Sequence, residues 1–173
     1  TNANTDINSW IYAGISGTSG DAIIYNNALS SATTTTIAGS VWAYNWIDIH
    51  NNAGTGSNLN IDASLLSGGP GADIHVFSNG NLRMASAVAD DAIDVDVNGL
   101  NMVLTGAQTA GSYIDINSPN AQGKVYTSAI LTAPEVYLEV LNFKGVRDNG
   151  QDYTSTSQKP TAQIVTDNLY LTA

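Results

Sequence analysis

Short segments in which apolar residues flank a single polar one recur along the chain, and their spacing limits what it can fold into. Ile47-Asp48-Ile49, Ile74-His75-Val76, Ile93-Asp94-Val95 and Ile114-Asp115-Ile116 begin 27, 19 and 21 residues apart. Between them run Leu59-Asn60-Ile61, Leu82-Arg83-Met84 and Leu100-Asn101-Met102, 23 and 18 residues apart. Alternation with a period of two is the pattern of a strand with one buried face, and no window carries the i, i+3, i+4, i+7 spacing of an amphipathic helix. Steps near ~20 residues with irregular turns are what a solenoid produces, because each coil buries its inward side chains against the coils above and below.

Two details favour coils over hairpins. Asn79-Gly80 and Asn98-Gly99 suit two-residue hairpin turns. Both, however, fall at the same place in successive units, as corners between two faces of one coil would. The expected architecture is therefore an all-β parallel β-helix formed by residues 1–173 as one domain, with an antiparallel β-sandwich as the alternative. At about 4.8 Å per coil, roughly eight or nine coils would give a rod on the order of 40 Å long. The register places Asp48, His75, Asp94 and Asp115 in one outer ladder. A second would hold Asn60, Arg83 and Asn101, continued by Tyr137 and Tyr170, with Leu100 and Met102 turned inward. Trp10, Trp42 and Trp46, with Tyr12, Tyr25 and Tyr44, are read as a cap or core at the end of the rod, since large aromatics are mostly buried; a sugar-stacking platform is the other reading.

Composition narrows the function. The 15 acidic residues against 5 basic ones give a formal charge of −10, which repels a phosphate backbone and removes nucleic acid as a partner. The absence of cysteine removes disulfides, thiolate zinc sites and thiol catalysis. No apolar run reaches the ~18 residues of a membrane-spanning helix. The start, Thr1-Asn2-Ala3-Asn4, leads to the expectation of a processed or excised piece of a longer chain.

Gly80-Asn81-Leu82-Arg83-Met84-Ala85-Ser86, the stretch from Ala129 to Glu139, and Thr166-Asp167-Asn168-Leu169-Tyr170-Leu171-Thr172-Ala173 resemble the degenerate repeats of filamentous-haemagglutinin-like, two-partner-secretion type exoproteins and giant bacterial surface adhesins. The similarity covers roughly residues 45 to 140 and the last dozen, and amounts to a strand grammar (Gly-Asn-Leu-x-Leu-x-Ala) with no fixed catalytic residue. It implies a right-handed parallel β-helix that is exported and projects from the cell surface.

Three groups of residues are candidates for chemistry. Asp90, Asp91, Asp94 and Asp96, with Asp73 from the Gly68-Gly69-Pro70-Gly71-Ala72-Asp73 stretch, are oxygen donors of the kind that hold calcium. A solvated strand face and a tight glycine corner are the plainer readings of the same residues. His50 and His75 are too few for a histidine-based metal site. Residues 142–160 are long and polar enough to leave the rod as a loop, and Lys144, Arg147, Asp148, Asp152, Tyr153 and Lys159 within it would make a mixed-charge partner-binding knob; a tolerated insertion is the alternative.

The expected function is a non-enzymatic, extracellular structural or adhesive segment of a bacterial surface protein, a rigid rod presenting loops to a protein or glycan or to its own kind, with no cofactor beyond calcium. A self-assembling β-sandwich subunit of an extracellular filament, paired through Leu169-Tyr170-Leu171, is the second reading. A polysaccharide-acting β-helix enzyme using Asp94 and Asp96 is the third.

Overall fold

The computed structural model describes residues 4–14, 18–28, 33–126, 129–146 and 164–172, with the backbone alone for 121–126 and 141–146. Every regular element among them is a strand, and every pairing is parallel. Ile74 lies opposite Ile93 and Val76 opposite Val95, the arrangement of stacked coils. The chain is a parallel β-helix, and the antiparallel sandwich is excluded.

The coils have three faces. The first is built by β1 (Thr5–Ile7), β4 (Thr34–Ile37), β7 (Asn58–Ile61), β10 (Asn81–Met84) and β13 (Asn101–Leu104), continued by the later halves of β15 (Tyr113–Tyr126) and β17 (Glu135–Val146). The second holds β2 (Ile11–Ala13), β5 (Val41–Ala43), β8 (Leu65–Ser67), β11 (Ala87–Ala89), β14 (Gln108–Ala110), β16 (Leu131–Thr132) and β18 (Ile164–Val165). The third holds β3 (Ala22–Asn26), β6 (Ile47–Asn51), β9 (Ile74–Ser78) and β12 (Ala92–Val97), then the first halves of β15 and β17, and β19 (Asn168–Thr172). Each face thus has seven described rungs, fewer than the eight or nine expected, and at the usual strand spacing they stack to roughly 30 Å.

Inside, like residues stack on like. Ile47, Ile74, Ile93 and Ile114 form one buried column, and Ile49, Val76, Val95 and Ile116 the next. The first face adds Leu59, Leu82 and Met102, then Ile61, Met84 and Leu104. β-Branched side chains suit such columns because they have few rotamers to lose and pack at the rung spacing. Leu169 and Leu171 continue the columns of Val136 and Leu138 and are exposed.

Corners set where one face gives way to the next. Asn79-Gly80 joins β9 to β10, and Asn98-Gly99 begins the join of β12 to β13, so both are corners, as their placement in the repeat predicts. Gly80 is required there: a Cβ would lie 2.3 Å from the backbone oxygen of Ser57. Beneath this edge Asn51 is fully buried, donating from Nδ2 to Ser57 Oγ (3.0 Å) and Ser78 Oγ (3.2 Å) and accepting from Asn26 Nδ2 (2.9 Å). The Gly68-to-Asp73 stretch is likewise a tight corner. Gly71 has φ +68°, and Gly69 donates its N–H to the Tyr44 carbonyl.

Five expectations are corrected. Leu100 is 68% exposed at a corner, and Met102 fills the column above Leu82. Arg83 lies beside Val103 rather than Asn101 and pairs with Asp62. Tyr137 and Tyr170 belong to the ladder of Asp115, not to that of Arg83. The aromatics near the start do not form a buried core: Trp10 is 69% exposed, Tyr12, Tyr25 and Trp46 are also on the surface, and Trp42 and Tyr44 are half-buried. Strand alternation turns Tyr12, Tyr25 and Trp42 outward, and Trp10, Tyr12 and Trp42 pack ring against ring there, with centroids about 6 Å apart. The 142–160 loop also starts later than expected, because residues 142–146 are the last part of β17 and pair with β15.

Candidate functional site: the outer ladders of the third face

Chemistry-bearing side chains concentrate on the third face because each of its strands offers two outward positions. One ladder reads Ile23, Asp48, His75, Asp94, Asp115, Tyr137, Tyr170. The neighbouring ladder reads Tyr25, His50, Phe77, Asp96, Asn117, Glu139, Thr172. The expected ladder of Asp48, His75, Asp94 and Asp115 is therefore present in full.

The face has three zones. Near β3, Ile23 and Trp46 are exposed over a groove of about 370 Å³ whose other walls are Asp21, Ile47, Asp48, Asp73, His75 and Asp94. A smaller hollow of about 180 Å³ adjoins it, lined by His75, Asp94, Val95, Asp96, Asp115 and Asn117. Towards the last rung the surface turns aromatic. Tyr137 stacks on Tyr170 with centroids 4.5 Å apart and ring planes 7° apart, and meets Tyr113 edge-on at 6.3 Å.

The middle zone is electrostatically strained. Partial burial pushes the Asp94 carboxyl above its usual range, and the Asp115 carboxylate one rung away pushes it further, while His75 and the Tyr113 hydroxyl pull it down. Asp115 is raised by partial burial, then by Asp96 and Glu139. Asp73 is raised mainly by burial, against the N–H of Ala92 that its Oδ1 accepts at 3.0 Å. The phenol of Tyr137 is pushed up to about 12, chiefly because it donates to the Glu135 carboxylate.

The five aspartates expected to gather round calcium take separate positions. Asp90 Oδ2 accepts the N–H of Gly71 at 2.9 Å, and Asp73 caps Ala92, so both tie one coil to the next at a corner. Asp94 and Asp96 face outward two residues apart on β12, and Asp96 Oδ1 accepts from Asn117 Nδ2 at 3.0 Å. Asp91 precedes β12. Among the described residues, Asp48, His50 and His75 instead bring ligand atoms within 4.8 Å of one another. Asp48 Oδ1 lies 2.7 Å from His50 Nε2 and 3.0 Å from His75 Nδ1. The signal for this triple was in the chain, since Asp48 and His50 share a strand face and the 27-residue step places His75 opposite Asp48.

Of the expected partner-binding residues, Lys144 lies on β17 in register with Lys124. Arg147, Asp148, Asp152, Tyr153 and Lys159 lie outside the described residues. Among the described residues no helix is long and apolar enough to cross a membrane. No family model, curated protein or solved structure matches the chain.

Proposed function

We propose that the chain is a non-enzymatic structural and adhesive segment of an exported bacterial surface protein, with the β-helix as a rigid rod and its third face as the contact surface. The observation that carries this reading is the groove in which Trp46 (54% exposed) and Ile23 (57% exposed) stand beside Asp21, Asp48, Asp73 and Asp94. A flat apolar surface edged by hydrogen-bond acceptors matches a sugar ring, which has C–H faces and a rim of hydroxyl donors. Rungs held in register by backbone hydrogen bonds keep such a surface rigid, so little entropy is lost on binding a polymer laid across them. The resemblance to haemagglutinin-like repeats supports export and surface display. The test is retention on a panel of immobilised neutral and acidic polysaccharides. Trp46→Ala should lower retention on the bound glycan at least tenfold, while Thr109→Ala on the second face leaves it unchanged. Equal retention of Trp46→Ala and the parent chain would overturn the reading.

One observation favours a second reading, cleavage of a glycan. A carboxyl shifted upward from its usual range by partial burial and a neighbouring carboxylate, as that of Asp94 is, moves in the direction a general acid needs. Release of reducing ends from a retained polysaccharide, lost in Asp94→Asn, would select it. Retention without turnover selects adhesion.

A further inference from the structure

We infer that Asp48, His50 and His75 form a binding site for a borderline divalent transition ion such as Zn²⁺, Cu²⁺ or Ni²⁺. Two imidazole nitrogens and one carboxylate oxygen converge from two adjacent rungs. Asp48 and His50 project from the same face of β6, and His75 comes from β9 directly opposite Asp48. Tetrahedral zinc with bonds of about 2.0–2.1 Å separates its ligand atoms by about 3.3 Å. The gaps of 2.7 and 3.0 Å from Asp48 Oδ1 to the two imidazoles need only a few tenths of an ångström of opening to admit an ion.

The surroundings orient the three donors as the outer partners of metal ligands do. Asp96 Oδ2 lies 3.4 Å from His75 Nε2, the nitrogen left over when Nδ1 is the ligand. A carboxylate there fixes the tautomer and raises the basicity of the ligating nitrogen. The Tyr25 hydroxyl donates to Asp48 Oδ2 at 3.4 Å, leaving Oδ1 for the ion. The His50 ring is held between Tyr25, at 4.9 Å, and Phe77, at 5.6 Å. All three ligands are half-buried, so the outer side of the ion stays open to water. Imidazole donors select this class of ion over calcium and magnesium, which take oxygen shells. Without an ion, one carboxylate oxygen bonded to two imidazoles is the plain alternative, and it makes no demand on added metal.

The site shares Asp48 and His75 with the wall of the glycan groove but is argued from ligand geometry alone, and its test needs no glycan. The tag-free full chain, stripped with chelator, is titrated with ZnCl₂ at neutral pH by calorimetry and, in parallel, by ¹⁵N-imidazole NMR. The chain has only two histidines, so the spectra are unambiguous. One zinc per chain should bind with micromolar or tighter affinity, moving the His50 Nε2 and His75 Nδ1 resonances together. His50→Ala and His75→Ala should each weaken binding at least tenfold, Asp48→Asn several-fold, and Asp90→Asn not at all. Circular dichroism and melting of each variant keep a folding defect from passing as a lost ligand. Absence of saturable zinc binding at 100 micromolar, or unaltered binding in the double variant His50→Ala/His75→Ala, would overturn the proposal.

Discussion

Replacing Asp115 by Asn should stabilise the rod at neutral pH. Asp115 sits one rung from Asp94, and partial burial, Asp96 and Glu139 all hold its carboxyl above the ordinary range. Adjacent rungs lie about 4.8 Å apart, and two unit charges at that distance repel by about 0.9 kcal/mol in water and about 3.5 kcal/mol at an effective dielectric of 20. The side chains are half-exposed, and at physiological salt the screening length is about 8 Å, so the lower end applies. The expected gain is about 0.5–1 kcal/mol, or roughly 1–4 °C in Tm for a chain of this size. Its pH dependence follows from the direction of the shift. Because the folded carboxyl is raised above the unfolded one, the native state holds extra proton between 3.8 and the raised value, and stability falls as pH climbs through that window. The penalty is complete above the window and absent below it. Thermal melts of parent and Asp115→Asn in chelator from pH 3 to 8 should diverge as pH rises and converge in acid, and added salt should shrink the gap. A variant less stable at pH 7, or equally stabilised at pH 3, would refute the reasoning.

Other expectations test the scaffold that holds the face. Asn51→Ala strips the Ser57 and Ser78 hydroxyls of a donor and Asn26 of an acceptor inside the rod, and should cost about 2–4 kcal/mol in urea unfolding; a loss under 0.5 kcal/mol would mean the buried polar stack does not support the corner. Gly80→Ala drives a methyl into the Ser57 backbone and should cost about 2–3 kcal/mol, whereas at Gly68 the nearest atom to a new Cβ is 3.7 Å away and the same change should stay within about 0.5 kcal/mol. Equal effects at the two glycines would contradict the stacking of these corners.

How much of this was legible in the chain depended on which side chains carry contrast. Ile-Asp-Ile and Ile-His-Val units announce both a strand and its phase, so the columns of the third face and the ladder from Asp48 to Asp115 could be read directly. The second face could not, because Leu-Leu-Ser, Ala-Val-Ala and Gln-Thr-Ala are three-residue strands whose inward positions, Leu65 apart, are small or polar. Two series were visible where three faces exist. Leu100 misled because alternation does not show where a corner ends, and the strand begins one residue later, at Asn101. The tryptophans misled for a related reason: their size argued for burial, while the phase of β2 and β5 turns Tyr12 and Trp42 outward. The metal-ligating triple joins residues 25 apart, and only combining the step with the two-residue period of one strand brings His50 to His75.

The central claim, that the third face rather than the segment after β17 makes the contact, is tested most directly by attachment of three proteins to the same glycan-coated surface: the parent chain, Trp46→Ala with Ile23→Ser, and a chain in which residues 147–160 are replaced by a short Gly-Ser turn. The face variant should detach at least tenfold faster than the parent, and the replacement should hold as the parent does. Loss of attachment in the replacement, with the face variant unaffected, would contradict the account.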